Sequence, residues 1–318
     1  MSKILVTGAT GFIGNSLVPV LVKSGHIVRC SVWRKSNSIQ AEQIIVNNLV
    51  EQMDWTEALN DIDIVIHLAA RVHYTNENIL SSSEEYYKVN SLATKNFAEQ
   101  AAKKGVKRFI FLSSIKVNGE FSLENKPFTE ESSMNARDPY ALSKLYAESY
   151  LQKISCDTGM QIVILRPPLV YGPNVKANFL NLIKLVDQGW PLPFAKLKNK
   201  RSLIYIDNLI SAICAVITDK KAANQLFLVS DDESWTLSEL VRALGEGLNR
   251  RTKLFSVPVV FLIWMLNILR RGHISSRLFT SLEVSNNKIK TQLGWIPPVR
   301  SKDGIVITAK WYQYECNS

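Results

Sequence analysis

Two groups of residues in this sequence have types and spacing suited to chemistry. One is Gly8-Ala9-Thr10-Gly11-Phe12-Ile13-Gly14, and the other is Tyr140-Ala141-Leu142-Ser143-Lys144, with Ser114 upstream. The first can hold a dinucleotide: Gly8 permits a tight turn, Gly11 lets backbone approach a pyrophosphate, and Gly14 lets a helix pack closely on a strand. A helix N-terminus there offers free N–H groups and partial positive charge to phosphates. The second can move a proton. Tyr140 and Lys144 are four residues apart and share a helix face. An ammonium beside a phenol is expected to lower its pKa from about 10 toward the working pH, making Tyr140 a general acid/base. Ser114 could hydrogen-bond the same substrate oxygen. Together the two groups describe hydride transfer coupled to proton transfer.

These residues need elements to position them. Lys3 to Val6 reads as a buried strand, and the apolar spacing of Phe12, Ile13, Leu17, Val20 and Leu21 predicts a helix over Phe12 to Lys23, so the glycines lie at a strand-to-helix turn. Further strands are expected at Ile27 to Val32, Gln43 to Leu49, Ile62 to Leu68, Arg108 to Leu112 and Gln161 to Leu165, with helical patterns between several of them. A helix starting near Asp138-Pro139 carries Tyr140, and Ser114 follows the strand Phe109 to Leu112. This alternation predicts an α/β fold, a doubly wound parallel sheet of Rossmann type, with a smaller C-terminal α/β substrate-binding lobe. The expected boundaries are 1–175 for the dinucleotide-binding domain, with 203–222 returning to it, and 176–202 with 223–318 for the lobe. In that later part a helix is expected near Asp207 to Thr218, a strand near Leu226 to Val229 and a helix from Thr236. Ligands of such sheets bind at the carboxyl edge, at the switch point of the strand order.

Composition agrees with a globular enzyme. The chain has 318 residues, 46% of them hydrophobic, with no repeat or low-complexity tract. Its net charge of +10 is scattered, and the short basic runs lack the interleaved aromatic platform that nucleic-acid binding calls for. The four cysteines show no metal-ligand spacing, so no metal is expected, and no secretory signal pattern is visible, which makes the cytoplasm the expected compartment. The apolar stretch from Phe255 to Leu269, ended by Arg270-Arg271, is shorter than the roughly 20 residues that span a bilayer. It reads as a helix packed on the lobe or a partner subunit, or as a peripheral membrane contact with arginines at the headgroups through 255–271.

The Gly-x-x-Gly-x-x-Gly spacing, written in full as Thr7-Gly8-Ala9-Thr10-Gly11-Phe12-Ile13-Gly14, resembles the extended short-chain dehydrogenase/reductases, the NAD-dependent epimerase/dehydratase family. His67-Leu68-Ala69-Ala70, Asn90 (with Ala93 in place of a family glycine), Arg166-Pro167-Pro168-Leu169-Val170-Tyr171-Gly172-Pro173 and Leu293-Gly294-Trp295-Ile296-Pro297-Pro298 extend the likeness over about residues 2 to 298. The resemblance implies catalytic roles for Ser114, Tyr140 and Lys144. It implies cofactor contacts at Gly8, Thr10, Gly11, Phe12, Ile13, Gly14, Trp33, Arg34, Asn48, Leu49, Leu68, Ala69, Ala70, Asn90 and Pro167, besides Tyr140 and Lys144. For a nucleotide-linked sugar it implies Arg71, Ser114, Lys116, Asn178, Arg201 and Arg277. It also implies a homodimer built on the helices around Thr94 and Tyr140.

The departures from the family pattern narrow the reaction. Sugar 4,6-dehydratases carry Thr-Asp-Glu where this chain has Ser114-Ile115-Lys116, so dehydration lacks its carboxylic pair. Two C4 reactions remain: 4-epimerisation of UDP-glucose or UDP-N-acetylglucosamine with tightly bound NAD, and reduction of a UDP-4-keto-6-deoxy-N-acetylhexosamine to UDP-N-acetylquinovosamine for surface polysaccharide. The likeness of Ser113 to Glu120, Pro167 to Pro173 and Val175 to Phe179 favours the reduction. The second strand ends in Val32-Trp33-Arg34-Lys35 without the acidic residue that binds an NAD ribose, and Arg34 suits a 2′-phosphate, so NAD or NADP is expected with NADPH favoured. A non-catalytic NADP-binding sensor is the remaining alternative, although such relatives usually lack the tyrosine.

Overall fold

A computed structural model describes residues 1–46, 53–72, 79–258, 260–261 and 279–317. The expected contacts Asn48, Leu49 and Arg277, and residues 262–271 of the apolar stretch, lie outside the described residues.

Seven strands form one parallel sheet in the order β3-β2-β1-β4-β5-β6-β9. They are β1 (Lys3–Thr7), β2 (Ile27–Val32), β3 (Glu42–Ile45), β4 (Ile64–His67), β5 (Arg108–Leu112), β6 (Gln161–Arg166) and β9 (Gln225–Leu228). The central strands are apolar without alternation, and every residue of β4 and β5 is buried. That is the pattern of a sheet covered on both faces. The strand order reverses beside β1, whose neighbours are β2 and β4, paired in parallel register from Ile4 to Thr7.

Helices supply the cover. They are α1 (Phe12–Lys23), α2 (Ile79–Tyr86), α3 (Ala93–Lys103), α4 (Pro139–Thr158), α5 (Ala177–Asp187), α6 (Ile206–Thr218), α7 (Leu237–Gly247), α8 (Asn287–Leu293) and α9 (Ser301–Asn317). Between α2 and α3 the chain runs through a π-helical turn, Tyr87–Leu92. The remaining strands β7 (Leu169–Tyr171), β8 (Lys200–Tyr205) and β10 (Ser234–Thr236) form a second sheet in the order β10-β8-β7. Thr236 caps α7 through a reciprocal pair with Glu239.

Two expectations are corrected here. The strand at 225–228, assigned to the lobe, pairs with β6 as the seventh strand of the main sheet. A short apolar run such as Leu226 to Val229 carries no mark of which sheet it joins, and only the pairing decides. Second, β8, the start of the segment expected to return to the dinucleotide-binding domain, lies in the small sheet, while α6 after it packs on α1 and β5. One core cluster runs from Ile4 and Val6 through Ile213 to Ile305 and Tyr312, so the last helix is bound into the same interior. Among the described residues no helix is long and apolar enough to cross a membrane. Phe255, Val260 and Phe261, at the beginning of the apolar stretch, are exposed.

Candidate active site

The site lies at the carboxyl ends of β1, β4 and β5. β1 leads into the glycine turn, where Gly8 has φ +70°, a backbone conformation open to glycine. A Cβ on Gly8 would stand 2.8 Å from Ala69 N, so Gly8 is also the point where the first turn touches the loop after β4. A Cβ on Gly14 would stand 2.3 Å from Gly8 O and 2.6 Å from Ala9 Cα, which shows how tightly α1 sits on the turn. Gly11 is the N-cap of α1, no side chain caps it, and no acidic residue lies in the first turn. Thr10 and Gly11 are exposed. An open helix N-terminus suits a pyrophosphate. Beside it, Gly8, Thr10, Ser31, Trp33, Val46 and Ala69 line a small cavity, with Trp33 mostly exposed. These residues fit a dinucleotide.

The loop after β4 is held from below. Thr7 Oγ1 lies 2.7 Å from His67 Nδ1 and accepts the Ala69 N–H at 3.3 Å. His67 Nε2 lies 2.9 Å from Thr94 Oγ1, tying β4 to α3. Burial lowers the His67 pKa to about 3, with Lys144 adding to the effect, so this histidine is neutral and structural.

Asn90, in the π turn, accepts the Arg71 N–H at 2.7 Å and donates to Arg71 O at 3.1 Å and Ser143 Oγ at 3.0 Å. Asn90 is fully buried, and these bonds take up its amide. The resemblance puts a structural asparagine at this position, and these bonds show Asn90 holding the Arg71 loop against α4. π turns often mark functional sites because they re-aim one side chain, here Asn90.

The second motif assembles on β5 and α4. Ser114 follows β5 and caps a 3₁₀ turn, Ile115–Val117. Its hydroxyl stands near the Tyr140 phenol and favours the ionised form of that group. Asp138 caps α4, its Oδ1 accepting the Ala141 N–H at 2.8 Å, with Pro139 at the first helical position. The buried face of α4 carries Ala141, Lys144, Ala147, Glu148 and Leu151, so Tyr140, Lys144 and Glu148 rise along one side of the helix.

The electrostatics differ from the expectation that Lys144 lowers the pKa of Tyr140. The phenol is pushed well above its ordinary value by burial, then by Asp138 and Tyr86, while the Ser114 hydrogen bond pulls the other way. Lys144 is turned elsewhere: its Nζ donates to Leu112 O at 2.9 Å and lies 4.5 Å from the Phe111 ring centroid. Burial lowers its pKa to about 7, with Glu148 opposing that shift. A desolvated amine near neutrality carries less positive charge to share with the phenol.

Below these groups lies a network that sequence reasoning missed. Glu148 is fully buried and accepts from Ser113 Oγ through Oε1, and Arg166 binds it through both Nε, at 2.9 Å, and NH2. Arg166 NH1 donates to Asn118 Oδ1 at 2.8 Å. The network joins β5, β6 and α4 just under the candidate catalytic residues. Its signal was present in the sequence, since Glu148 lies one helical turn beyond Lys144.

The remaining expected residues are placed unevenly. Leu68, Ala69 and Ala70 line the loop after β4, and Pro167 is buried after β6, where its carbonyl accepts the Ile115 N–H at 3.0 Å. Lys116 is half-buried and paired with Asp138 at 2.5 Å, beside Tyr140. Phe12 and Ile13 open α1, and Arg34 is exposed past β2. Asn178 is exposed in the first turn of α5, and Arg201 lies on β8 with NH1 donating to Thr280 O at 3.3 Å. Thr94 faces inward to His67, so the outer face of α3 and α4 is built by other residues. Tyr87 OH and Tyr150 OH lie 2.7 Å apart, and Tyr146 packs edge-on to Tyr87.

Comparison with known proteins agrees with this geometry. Residues 4–229 match the family described as "NAD dependent epimerase/dehydratase family". The chain is 41% identical over 310 residues to a UDP-glucose 4-epimerase of Vibrio cholerae, covering 97% of this chain and 94% of that protein. It is 26% identical over 261 residues to the N-acetyl-alpha-D-glucosaminyl-diphospho-ditrans,octacis-undecaprenol 4-epimerase of Escherichia coli O157:H7, covering 80% of this chain and 75% of that one. In fold it is similar to the UDP-glucuronic acid 4-epimerase from Bacillus cereus in complex with NAD, at 24% identity with a TM-score of 0.78, over 98% of this chain and 99% of that chain. With its glycine turn and its Ser114, Tyr140 and Lys144 gathered at one edge of a parallel sheet, and with these matches, the chain belongs to the NAD-dependent epimerase/dehydratase family of enzymes.

Proposed function

We propose that this enzyme oxidises and reduces C4 of a UDP-linked hexose, with 4-epimerisation of UDP-glucose or its N-acetyl counterpart as the net reaction. The observation that carries this reading is the gathering of Ser114, Tyr140 and buried Lys144 on the same sheet edge as the glycine turn. The 41% identical relative, covered almost end to end, bears the name of that reaction. Lys116 also stands, paired with Asp138, where dehydration would need a carboxylic acid.

Held at the glycine turn by Gly8, Thr10 and the N-terminus of α1, NAD would supply the hydride chemistry at C4. The rest falls to the chain. The Tyr140 oxygen takes the C4 hydroxyl proton as C4 is oxidised and returns it on reduction, acting as base and then acid. Ser114 donates to the same oxygen and keeps it aligned. Lys144 supplies positive charge on the inner side of the site, retained or lost near neutral pH. The walls of the pocket must let the 4-keto sugar turn so that hydride returns to its other face.

A second reading is reduction of a UDP-4-keto-6-deoxy-N-acetylhexosamine to UDP-N-acetylquinovosamine by dissociable NADPH. It is favoured by the end of β2, where Trp33 and exposed Arg34 stand without an acidic residue. The two readings separate in one experiment. Purified enzyme is incubated with UDP-glucose, UDP-galactose and their N-acetyl forms, with and without NADPH, alongside the 4-keto sugar nucleotide. Interconversion without added reductant supports epimerisation; turnover of the 4-keto sugar alone, with NADPH consumed, replaces it with the reductase.

We also propose a homodimer through α3 and α4, supported by exposed Tyr146 of α4, which packs on Tyr87 of the π turn before α3. A cytoplasmic setting fits the absence of a membrane-crossing helix among the described residues.

A further inference from the structure

Lys116 joins two parts of the site that are 22 residues apart in sequence, the Ser114 turn and the Asp138 cap. The Lys116 N–H is accepted by Ser114 Oγ at 3.3 Å, so both residues are fixed by one 3₁₀ turn. Its Nζ lies 2.5 Å from Asp138 Oδ2, while Asp138 Oδ1 caps α4 at Ala141 N. Tyr140 is in that first turn. One ammonium therefore ties the strand end carrying Ser114 to the helix end carrying Tyr140. The same Nζ lies 5.9 Å from the centroid of the Tyr140 ring. The pair is sheltered, with side chains 21% and 26% exposed, so it is screened less than a surface bridge.

The charges around Tyr140 make the placement consequential. Asp138, two residues before it, opposes ionisation of the phenol, and so does Tyr86, whose ring stands edge-on at 6.2 Å from α2. Ser114 favours ionisation by hydrogen bonding. Lys144, one turn along α4, has its amine directed to Leu112 O. Glu120 lies 4.0 Å from Lys116 Nζ and adds negative charge on the outer side. Lys116 is thus the cation placed against the carboxylate that disfavours the tyrosinate. It is also in contact range of the ring, where a cation is attracted to the π face.

We propose that Lys116 is a positioning residue for Tyr140, holding the Ser114 turn against the start of α4 and screening the Asp138 carboxylate from the phenol oxygen. This role rests on the C4 redox reading for its use in turnover, but the charge coupling can be measured without any sugar.

The test compares Lys116→Met, Lys116→Arg, Asp138→Asn and the double variant Lys116→Met with Asp138→Asn in NAD-loaded protein. Asn keeps a good N-cap, so α4 retains its start. Tyr140 ionisation is read by ultraviolet difference titration, each protein against the same protein with Tyr140→Phe, and the pH profile of kcat/KM for the UDP-sugar is recorded in parallel. Lys116→Met is expected to raise the apparent pKa of Tyr140 by about one unit, a tenfold loss of ionisation. Lys116→Arg should stay near wild type, and adding Asp138→Asn should reverse the Lys116→Met shift. A Lys116→Met titration matching wild type, or a shift that Asp138→Asn leaves in place, overturns the proposal. Should Lys116→Met fail to fold, Asp138→Asn alone must lower the apparent pKa, and an unchanged value overturns it. A titration shift in a protein that turns over no UDP-sugar, even as wild type, supports the charge role and overturns the C4 redox reading instead.

Discussion

Burial shifts the ionisation of both Tyr140 and Lys144 strongly. Tyr140→Phe removes the hydroxyl that takes and returns the proton while keeping the ring, so turnover should fall by about 10²- to 10⁴-fold. NAD affinity by calorimetry should change little, and wild-type turnover in this variant would remove Tyr140 from the mechanism. Lys144 makes a thermodynamic prediction. Its pKa is about 7 in the folded protein and about 10.4 in an unfolded chain, so between those values the unfolded state holds a proton that the folded state lacks. Folding stability from this group therefore rises with pH across that window, and below pH 7 the penalty for burying the charge is at its full value. Lys144→Met abolishes the penalty. Relative to wild type, its stability should be greatest near pH 6 and should decline by on the order of 3 kcal/mol by pH 9.5, measured by denaturant unfolding at both values. A pH-independent difference would show that Lys144 keeps an ordinary pKa.

At the scale of elements, the close approach of α1 to the glycine turn carries the cofactor argument. Gly14→Ala places a methyl 2.3 Å from Gly8 O, a contact with backbone that a rotamer change cannot relieve. The helix must shift, and its N–H groups move with it. NAD affinity should drop at least about tenfold by calorimetry, since a lost or misaligned charge-assisted hydrogen bond is worth about 1.5–3 kcal/mol; unchanged affinity would show that the helix N-terminus does not hold the pyrophosphate. The Glu148–Arg166 pair belongs to the same scale. Two fully buried charges are tolerable because each is hydrogen-bonded several times, to Ser113 and Asn118 as well as to each other. They lock β5, β6 and α4 into one frame beneath Ser114 and Tyr140, so the site inherits its geometry from rigid elements rather than loops.

For the whole molecule, the last helix is joined to the small sheet and to α6 through a buried carboxylate. Asp231 accepts from Tyr171 OH at 2.9 Å and from Asn208 at 2.7 Å, and burial raises its pKa. Tyr171 is also bonded to Ser301 O, at the start of α9. One core cluster that holds Ile4, Ile213, Ile305 and Tyr312 gives the lobe and the parallel sheet a common interior. On the surface built by α4 and the π turn, Tyr87, Tyr146 and Tyr150 lie together and Tyr146 is 46% exposed. Sedimentation equilibrium should give a dimer for wild type and a monomer for Tyr146→Glu, which puts a charge into an aromatic face. A monomeric wild type would discard the α3–α4 interface.

What the sequence by itself determined was local. β2, β5 and α1 match their expected spans residue for residue, because a buried parallel strand leaves a short apolar run and an amphipathic helix a periodic one, and the glycine turn between β1 and α1 has few other backbone solutions. The types and order of Ser114, Tyr140 and Lys144 were equally legible, since the chemistry demands them. Tertiary structure decided everything that depends on a neighbour distant in the chain. It assigned the strand Gln225–Leu228 to the main sheet, turned Lys144 toward Leu112 and set Lys116 against Asp138. Charge state belongs to the same class. Residue type gives the ordinary pKa, but burial and the nearest charges move it, and both exist only once the chain has folded.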